Sequence, residues 1–299
     1  MSSGLTVVAL GGNAVSPARG GMRFDAERAA IASAADELTD LARTARLLVV
    51  HGNGPQVGRL LAAPELGDPG SLDVHVAQTQ GELGYLLAEA LETRAERPCV
   101  ALVTRVLVDP NDGAFEAPTK PVGPVLAARP RGAPAMRTPD GRGWRRVVAS
   151  PRPHAVVELE AIRALLATHH VIAGGGGGVA LARRSTTRGA RAARSAVVDK
   201  DWVAALLATA LGAERLVFVT DVSGAFDAFG RPEARGIPTM RIAEARERLA
   251  GGVFAPGSMA PKVESAIEFV QATGRPAVIA ELGSVATGLR GTTGTTIVP

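Results

Sequence analysis

The chain has 299 residues, of which 46% are hydrophobic and only 3% aromatic, so its core must be built from aliphatic side chains. Its net charge of +4 and scarce aromatics argue against nucleic-acid binding, and no apolar run approaches the ~18 residues needed to span a bilayer. The single cysteine, Cys99, excludes an internal disulfide and predicts a reducing, cytoplasmic location. This composition is typical of a single α/β domain, which we expect to span residues 1–299.

Strands and helices alternate along most of the chain. The first predicted elements are a strand at Leu5–Leu10, a helix at 25–45, a strand at 47–50, a helix at 78–92 and a strand at 100–108. After residue 153, helices are predicted at 155–168, 201–211, 242–249 and 263–273, and strands at 170–173, 216–220, 277–280 and 295–298. Alternation at this spacing predicts βαβ units and a mainly parallel sheet.

The stretch from 118 to 153 interrupts this alternation. It contains eight prolines, which exclude a long helix, and a loosely alternating segment at 142–148 that is typical of a hairpin strand. Because it also keeps Trp144, Val147 and Val148, we predict a small protruding lobe inserted into the main domain rather than a disordered linker.

Three glycine-rich turns follow predicted strands. They are Gly11-Gly12-Asn13, Gly52-Asn53-Gly54 and the five glycines at 174–178. In an open parallel sheet, ligands bind outside the carboxyl ends of the strands, where glycines let backbone N–H groups approach an anion. Each turn alone has a plain explanation, since tight turns need glycine anyway. Three together predict a phosphate or carboxylate site.

The familiar nucleotide and metal motifs do not occur in the sequence. There is no G-x-x-x-x-G-K-[ST] loop, and the pair Gly11-Gly12 lacks the third glycine of a dinucleotide fingerprint. One cysteine and five scattered histidines do not make a zinc site, so we predict no metal ligand from the protein. His51 is interpreted as a structural turn residue rather than a catalyst.

Lysine is rare in this chain. Lysines and arginines together number 33, yet the lysines are only Lys120, Lys200 and Lys262, each in a Gly-, Pro- or Asp-rich motif. An ammonium group is compact whereas a guanidinium is a wide fork, so these positions are candidates for special geometry. Asp199 is expected to cap a helix, and Lys200 to be held between Asp199 and Asp201 as a group that contacts transferred phosphate. The segment before Lys262 is interpreted as a tight loop that aims this lysine into the site.

Seven segments, in order along nearly the whole chain, resemble the motifs of carbamate kinases. They are ALGGNA at 9–14, HGNGPQVG at 51–58, QGELGY at 80–85, PTKPVGP at 118–124, GWRRVV at 143–148, VDKD at 198–201 and GSMAPK at 257–262. The resemblance implies the amino-acid-kinase fold, which is a three-layer αβα sandwich. It also implies a homodimer, the usual assembly of this family. It also implies that Mg-ATP and carbamate interconvert with ADP and carbamoyl phosphate.

The same resemblance implies roles for individual residues. The catalytic residues are expected to be Lys120, Lys200, Lys262 and Asp201. The acceptor and the transferred phosphoryl are expected to be held by Gly11, Gly12, Asn13, Gly52 and Asn53. The nucleotide is expected at Gly175, Gly176, Asp199, Thr220, Asp221 and Met259. Because a carbamate oxygen is already anionic, direct in-line transfer needs no general base.

The sequence also departs from the family pattern, so alternatives stay open. The segment 125–140 is short and rich in Pro and Ala, and five arginines lie between Arg183 and Arg194. One alternative is a paralogue that phosphorylates another small carboxylate or a biosynthetic intermediate. The other is a non-catalytic sensor of a nucleotide or small acid, although all three lysines are kept. The arginine cluster is either a solvated surface loop or a cleft rim that attracts an anionic acceptor.

Overall fold

The computed structural model describes residues 4–16, 24–63, 71–138, 141–183 and 191–299. The strands are β1 (Leu5–Leu10), β2 (Arg46–His51), β3 (Cys99–Ala101), β4 (Arg105–Val108), β5 (Lys120–Leu126), β6 (Ala135–Arg137), β7 (Trp144–Val148), β8 (Pro153–Val156), β9 (His170–Ile172), β10 (Val179–Arg183), β11 (Arg191–Ala193), β12 (Arg215–Thr220), β13 (Phe226–Asp227), β14 (Arg235–Gly236), β15 (Thr239–Arg241), β16 (Ala277–Glu281) and β17 (Thr295–Val298). The helices are α1 (Phe24–Thr44), α2 (Gly54–Ala62), α3 (Leu72–Ala95), α4 (Leu159–Leu165), α5 (Lys200–Ala210), α6 (Ile242–Ala250), α7 (Met259–Thr273) and α8 (Val285–Leu289). Within the described ranges, no helix has both the length and the apolar character needed to cross a membrane.

An eight-stranded sheet forms the centre of the molecule, in the order β15-β17-β16-β12-β1-β2-β9-β3. Among the described residues, every pairing in this sheet is parallel except that of β16 with β17. All of β1 is buried, because helices cover a central parallel strand on both faces. Its side chains alternate between two apolar clusters: Val7 and Ala9 lie on the side of α5 and α7, and Val8 and Leu10 on the side of α1 and α3. The predicted three-layer αβα sandwich is therefore confirmed.

The carboxyl ends of β1, β2 and β9 lie side by side, because these strands are neighbours in the sheet. Gly11 donates its N–H to the carbonyl of Val219 and Gly52 donates to that of Leu10, each at 2.9 Å, so the first two glycine turns continue from paired strands. The third turn, at 174–178, follows β9 directly. All three glycine turns predicted from the sequence therefore meet at one edge of the sheet.

A separate three-stranded antiparallel sheet, in the order β5-β7-β6, lies in the segment predicted as a lobe. Strand β5 packs on α2 so closely that a Cβ on Gly58 would lie 2.5 Å from the Cα of Gly123. Gly123 also has a φ of +72°, which a residue with a side chain adopts only with strain. That 118–153 is an inserted unit of one domain, 1–299, stays a prediction.

One predicted strand and three predicted helices have wrong bounds; the helix predicted at 78–92 spans Leu72–Ala95. Residues 100–108 form two strands, β3 and β4, which belong to different sheets. Between them the buried Gln80 side chain accepts from the N–H of Thr104 (2.8 Å) and donates to its carbonyl (3.2 Å), which takes the place of strand pairing there. Similarly, the helix predicted at 155–168 starts only at Leu159, because β8 pairs with β4 first.

Helix α7 starts at Met259, four residues before the predicted start at 263. The interpretation of the preceding segment as a loop that aims Lys262 is therefore wrong, since Lys262 lies in the first turn of the helix. Pro261 is compatible with this position, because the first N–H groups of a helix have no partner within it. The helix itself fixes where the Lys262 side chain begins.

Candidate active site

Two cavities adjoin at the carboxyl edge of the central sheet, and both are lined by Gly12, Asn13, Lys200 and Gly257. The helix-side cavity, of about 260 Å³, is completed by Gly11, Ala14, Thr220, Asp221, Ser258, Lys262 and Leu282. The lobe-side cavity, of about 340 Å³, is completed chiefly by Gly52, Asn53, Gly54, Pro55, Lys120, Pro121, Val122, Arg145, Gly176 and Val198. The residues shared by the two cavities mark the position where a group could pass from one ligand to another.

Two lysines that line these cavities are hydrogen-bonded to one buried carboxylate. Asp201, in the first turn of α5, accepts from Lys200 Nζ at Oδ1 and from Lys262 Nζ at Oδ2, both at 2.9 Å. Its side chain is only 2% exposed, so these bonds are shielded from water. Lys262 starts from α7 and Lys200 from α5, and the packing of these two helices brings the ammonium groups together.

The charges in this group act on one another. Burial alone raises the pKa of Asp201, but the two ammonium groups outweigh it and hold the pKa far below its ordinary value. Burial lowers the pKa of Lys200, yet Asp201 and Asp199 more than compensate, so the net shift is upward. Burial and the neighbouring Lys200 lower the pKa of Lys262. The carboxylate therefore stays ionised, and Lys262 gives up its proton more readily than an ordinary lysine.

Asp199 contacts the third lysine instead of Lys200. It caps α5 as predicted, with Oδ1 accepting from the N–H of Asp201 at 3.0 Å. Its Oδ2 accepts a short hydrogen bond from Lys120, at the start of β5. The expected lysine between two aspartates is thus replaced by a chain of contacts from Lys120 through Asp199 to α5. Asp199 itself lines neither cavity, so its predicted nucleotide role stays a prediction.

The first glycine turn and β12 meet in the helix-side cavity. Asn13 donates from Nδ2 to Oδ2 of Asp221 at 2.9 Å, and the Thr220 hydroxyl donates to Oδ1 at 3.2 Å. Asp221 is the one carboxylate among the described residues that line either cavity. The structure therefore brings the predicted Gly11, Gly12, Asn13, Thr220 and Asp221 together with Lys200 and Lys262.

The third glycine turn packs closely against Asn53 of the second turn and against His51, which precedes that turn. A Cβ on Gly176 would lie 2.0 Å from Nδ2 of Asn53, which donates to the Thr79 hydroxyl at 2.8 Å. A Cβ on Gly175 would lie 2.3 Å from Nε2 of His51. Gly176 lines the lobe-side cavity, whereas Gly175 and Met259 line neither cavity. The nucleotide roles expected for Gly175, Gly176 and Met259 stay predictions. The position of Gly176 favours a role in the lobe-side cavity.

Arg145 is a cavity residue that the sequence analysis missed. It lies on β7 of the lobe, lines the lobe-side cavity and donates from Nε to the carbonyl of Gly123 at 3.1 Å. Burial of its guanidinium lowers its pKa, and within the described ranges it forms no ion pair with a carboxylate. Arg145 lies in the motif GWRRVV, which could have marked it as a site residue, but one arginine does not stand out in an arginine-rich chain.

The arginine cluster between Arg183 and Arg194 is only partly described. Arg184 and Arg188 lie outside the described residues, as do the side chains of Arg183 and Arg191. Arg194 places its guanidinium carbon 4.5 Å from the ring centroid of Phe115 and lines neither cavity. For Arg194, this contact favours a surface role over a position at the cleft rim.

The sequence matches the Amino acid kinase family over residues 4–281. It is 42% identical over 303 residues to the carbamate kinase of Escherichia coli K12, covering 97% of this chain and 98% of that enzyme. The carbamate kinase of Halobacterium salinarum is 39% identical over 307 residues, with 98% of each chain covered. The solved structure of carbamate kinase from Giardia lamblia bound to AMP-PNP has a TM-score of 0.86 and 35% identity, covering 99% of this chain and 98% of that one.

Proposed function

The chain belongs to the amino acid kinase family, and from this premise we propose that it transfers the γ-phosphoryl group of ATP to carbamate in a reversible reaction. The carbamate kinases among its relatives support the acceptor, and the AMP-PNP complex of the Giardia enzyme supports the nucleotide. The observation that carries the proposal is the pair of lysines hydrogen-bonded to Asp201, because Lys200 lines both cavities and Lys262 lines the helix-side cavity.

In this proposal each cavity takes one substrate. The lobe-side cavity takes carbamate, because Lys120 and Arg145 give it positive charge and no carboxylate among the described residues lines it. The helix-side cavity takes the phosphate end of ATP, next to Lys200 and Lys262. The phosphoryl group in transfer then lies at the shared lining of Gly12 and Asn13, where backbone N–H groups of a glycine turn favour an anion.

The proposed chemistry is one direct displacement. A carbamate oxygen forms a bond to the γ-phosphorus while the bond from that phosphorus to the bridging oxygen breaks, and its electron pair leaves with ADP. Lys200 and Lys262 offset the negative charge on the migrating group, and Asp201 keeps both ammonium groups in place. Since the attacking oxygen is already anionic, no residue has to remove a proton. This agrees with cavity linings in which no histidine occurs among the described residues.

The residues present fit Mg²⁺ bound together with ATP. No cluster of three or more metal-ligating side chains occurs within the described ranges, which suits an ion held largely by phosphate oxygens. Asp221 is the carboxylate that would complete its ligands, because Asp199 and Asp201 are already engaged with lysines. This part of the proposal departs from the prediction that the protein supplies no metal ligand. When bound, Mg²⁺ would neutralise charge on the β- and γ-phosphates.

A panel of acceptors tests the proposed function. Purified enzyme is given Mg-ATP with carbamate, acetate or other small carboxylates, and ADP release is measured by a coupled assay. We expect turnover with carbamate and a much lower kcat/KM for every other acid. A higher kcat/KM for another acid would favour the paralogue, and ATP binding without turnover of any acid would favour the sensor.

We also propose that the enzyme is a homodimer that joins through β3 and α3. Strand β3 is an edge of the central sheet, and an unpaired edge is a template for a second chain. Apolar side chains near it are exposed, Tyr85 at 55% and Val103 at 51%. Sedimentation velocity should give a dimer for the wild type and a monomer for Tyr85→Glu. The control Phe229→Glu, on the β13–β14 hairpin, should stay dimeric.

The proposed location is the cytoplasm. Cys99 lies on β3 and forms no disulfide, and burial raises the pKa of its thiol to about 12, so it stays protonated. Fractionation of cells that express the tagged protein would test the location.

A further inference from the structure

His51 is a buried titratable residue beside the proposed acceptor site. It ends β2 and is only 1% exposed. Its Nδ1 lies 3.0 Å from the carbonyl oxygen of Gly52, the next residue. A carbonyl oxygen only accepts, so Nδ1 carries the hydrogen of this bond. The other ring nitrogen, Nε2, is buried without a partner among the described residues, and burial lowers the pKa of the ring to about 4. The ring is therefore neutral at physiological pH.

The bond to Gly52 fixes the orientation of one peptide group. No cis peptide bond occurs within the described ranges, so the peptide between Gly52 and Asn53 is trans. In a trans peptide the C=O and N–H bonds point in opposite directions. Because His51 holds the carbonyl, the N–H of Asn53 points away from His51. No hydrogen bond of the described chain uses this N–H, and Asn53 lines the lobe-side cavity.

Gly175 provides the space that His51 occupies. A Cβ at this position would lie 2.3 Å from Nε2 and 2.5 Å from Cε1 of His51, which no real contact permits. The φ of Gly175 lies outside the left-handed region, so an alanine there would be excluded by His51 and not by its own backbone. Gly175 is thus needed to let the His51 imidazole lie against the Gly52 carbonyl.

We propose that His51 is a positioning residue: its Nδ1–H holds the Gly52 carbonyl and so keeps the N–H of Asn53 directed at the anion in the lobe-side cavity. The inference rests on the proposed function, since it is carbamate or the transferred phosphoryl group that receives this N–H. Removing one hydrogen-bond donor from a developing oxyanion costs roughly 100-fold or more in other enzymes, and misdirecting a backbone donor should cost somewhat less.

The test uses amide side chains that imitate one ring nitrogen each. Asparagine places an N–H donor near the Nδ1 position and glutamine places it near Nε2. We expect His51→Asn to keep kcat within about threefold, and His51→Gln to lose at least about tenfold, with the KM for Mg-ATP nearly unchanged in both. In Gly175→Ala the added methyl group displaces the His51 ring from its Nε2 side, so kcat should fall as much as in His51→Gln.

A matched control is His170, which is also fully buried, has a pKa lowered by burial to about 4, and accepts at Nδ1 from the N–H of Leu47. It begins β9, at the opposite end of the strands from the cavities. His170→Gln should lower Tm without changing kcat. Equal kcat values for His51→Asn and His51→Gln would overturn the proposal. So would a Gly175→Ala enzyme whose defect is confined to the KM for Mg-ATP.

A binding measurement separates this inference from the proposed function. In ¹H–¹⁵N spectra, the Asn53 amide signal should shift downfield on addition of carbamoyl phosphate in the wild type and in His51→Asn, but not in His51→Gln. A wild type that shows this shift yet turns over no acyl phosphate would contradict the proposed function and keep the role of His51. An amide shift of equal size in all three proteins would overturn the role of His51.

Discussion

Asp201 bonds two ammonium groups at once, and this arrangement requires lysine at both positions. Lys200 and Lys262 each place one nitrogen on one carboxylate oxygen, in a region that is nearly closed to water. A guanidinium is wider and planar, so it cannot take the same place without displacing its neighbour. Lys200→Arg and Lys262→Arg should each lower kcat by about 100-fold or more. Arg215→Lys, at the amino end of β12, is the control and should keep full activity. A Lys200→Arg enzyme with most of its activity would remove Lys200 from the catalytic role.

The shifted pKa of Lys262 predicts how turnover depends on pH. Burial and the charge of Lys200 favour its neutral form, so its proton is lost at a lower pH than in an ordinary lysine. As pH rises through this lowered pKa, the site loses a positive charge and kcat should fall. Asp201, whose pKa is lowered, stays ionised throughout the working range. A kcat profile that shows no decline up to the ordinary lysine pKa would contradict the role of Lys262.

At the residue scale, site residues could be predicted from the sequence where their residue type is rare in this chain. The three lysines stand out because arginine serves nearly everywhere else, and the structure places all three within one connected group around Asp199 and Asp201. Arg145 has an equally good position in the lobe-side cavity, but its residue type carries no such signal. The pairing of Asp199 with Lys120 is a contact across 79 positions, which local pattern does not encode.

Helices and strands were predicted well where no tertiary contact interrupts the local pattern of apolar residues. The buried strands β1, β2 and β12 and the helices α1, α5 and α6 follow from apolar runs and helical spacing. The prediction failed where a tertiary contact interrupts a local pattern, as Gln80 does at Thr104. It also failed at Pro261, which marks the first turn of α7 as readily as it marks a loop.

Strand β5 brings Lys120 from the lobe to the site, and this gives a prediction for the element. Lys120 lines the lobe-side cavity and contacts Asp199, but it does not line the helix-side cavity. Lys120→Ala should therefore lower kcat strongly and leave the affinity for ATP almost unchanged. Arg131→Ala, on the same lobe and outside both cavities, is the matched control and should retain the kcat of the wild type. If ATP affinity collapses in Lys120→Ala, Lys120 belongs to the nucleotide site and the assignment of the two cavities is wrong.

Charge is distributed unevenly over the whole molecule. Between 118 and 153 the sequence has eight basic residues and one acidic residue, whereas the entire chain carries only +4. Arg129 and Arg131 are exposed, and within the described ranges they form no ion pair. This local excess of positive charge should raise the concentration of anionic substrates near the lobe-side cavity, over a screening distance of about 10 Å.

The double variant Arg129→Gln/Arg131→Gln tests this field. It should raise the KM of the anionic acceptor about twofold, leave kcat unchanged and weaken the dependence of kcat/KM on salt. Arg43→Gln/Arg215→Gln removes the same charge from exposed positions at the amino edge of the sheet and should change neither value. Equal salt dependence in both double variants would show that the lobe charge does not act on the substrate.

The central claim is that the two lysines hydrogen-bonded to Asp201 assist direct transfer of a phosphoryl group between carbamoyl phosphate and ADP. The most direct measurement is ³¹P NMR of the purified enzyme with Mg-ADP and carbamoyl phosphate, run beside Lys262→Arg. With the wild type we predict that the carbamoyl phosphate signal decreases as the γ-phosphate signal of ATP appears in equal amount, and that Lys262→Arg shows only slow hydrolysis to inorganic phosphate. Formation of inorganic phosphate without ATP by the wild type, or equal ATP formation by both proteins, would contradict the account.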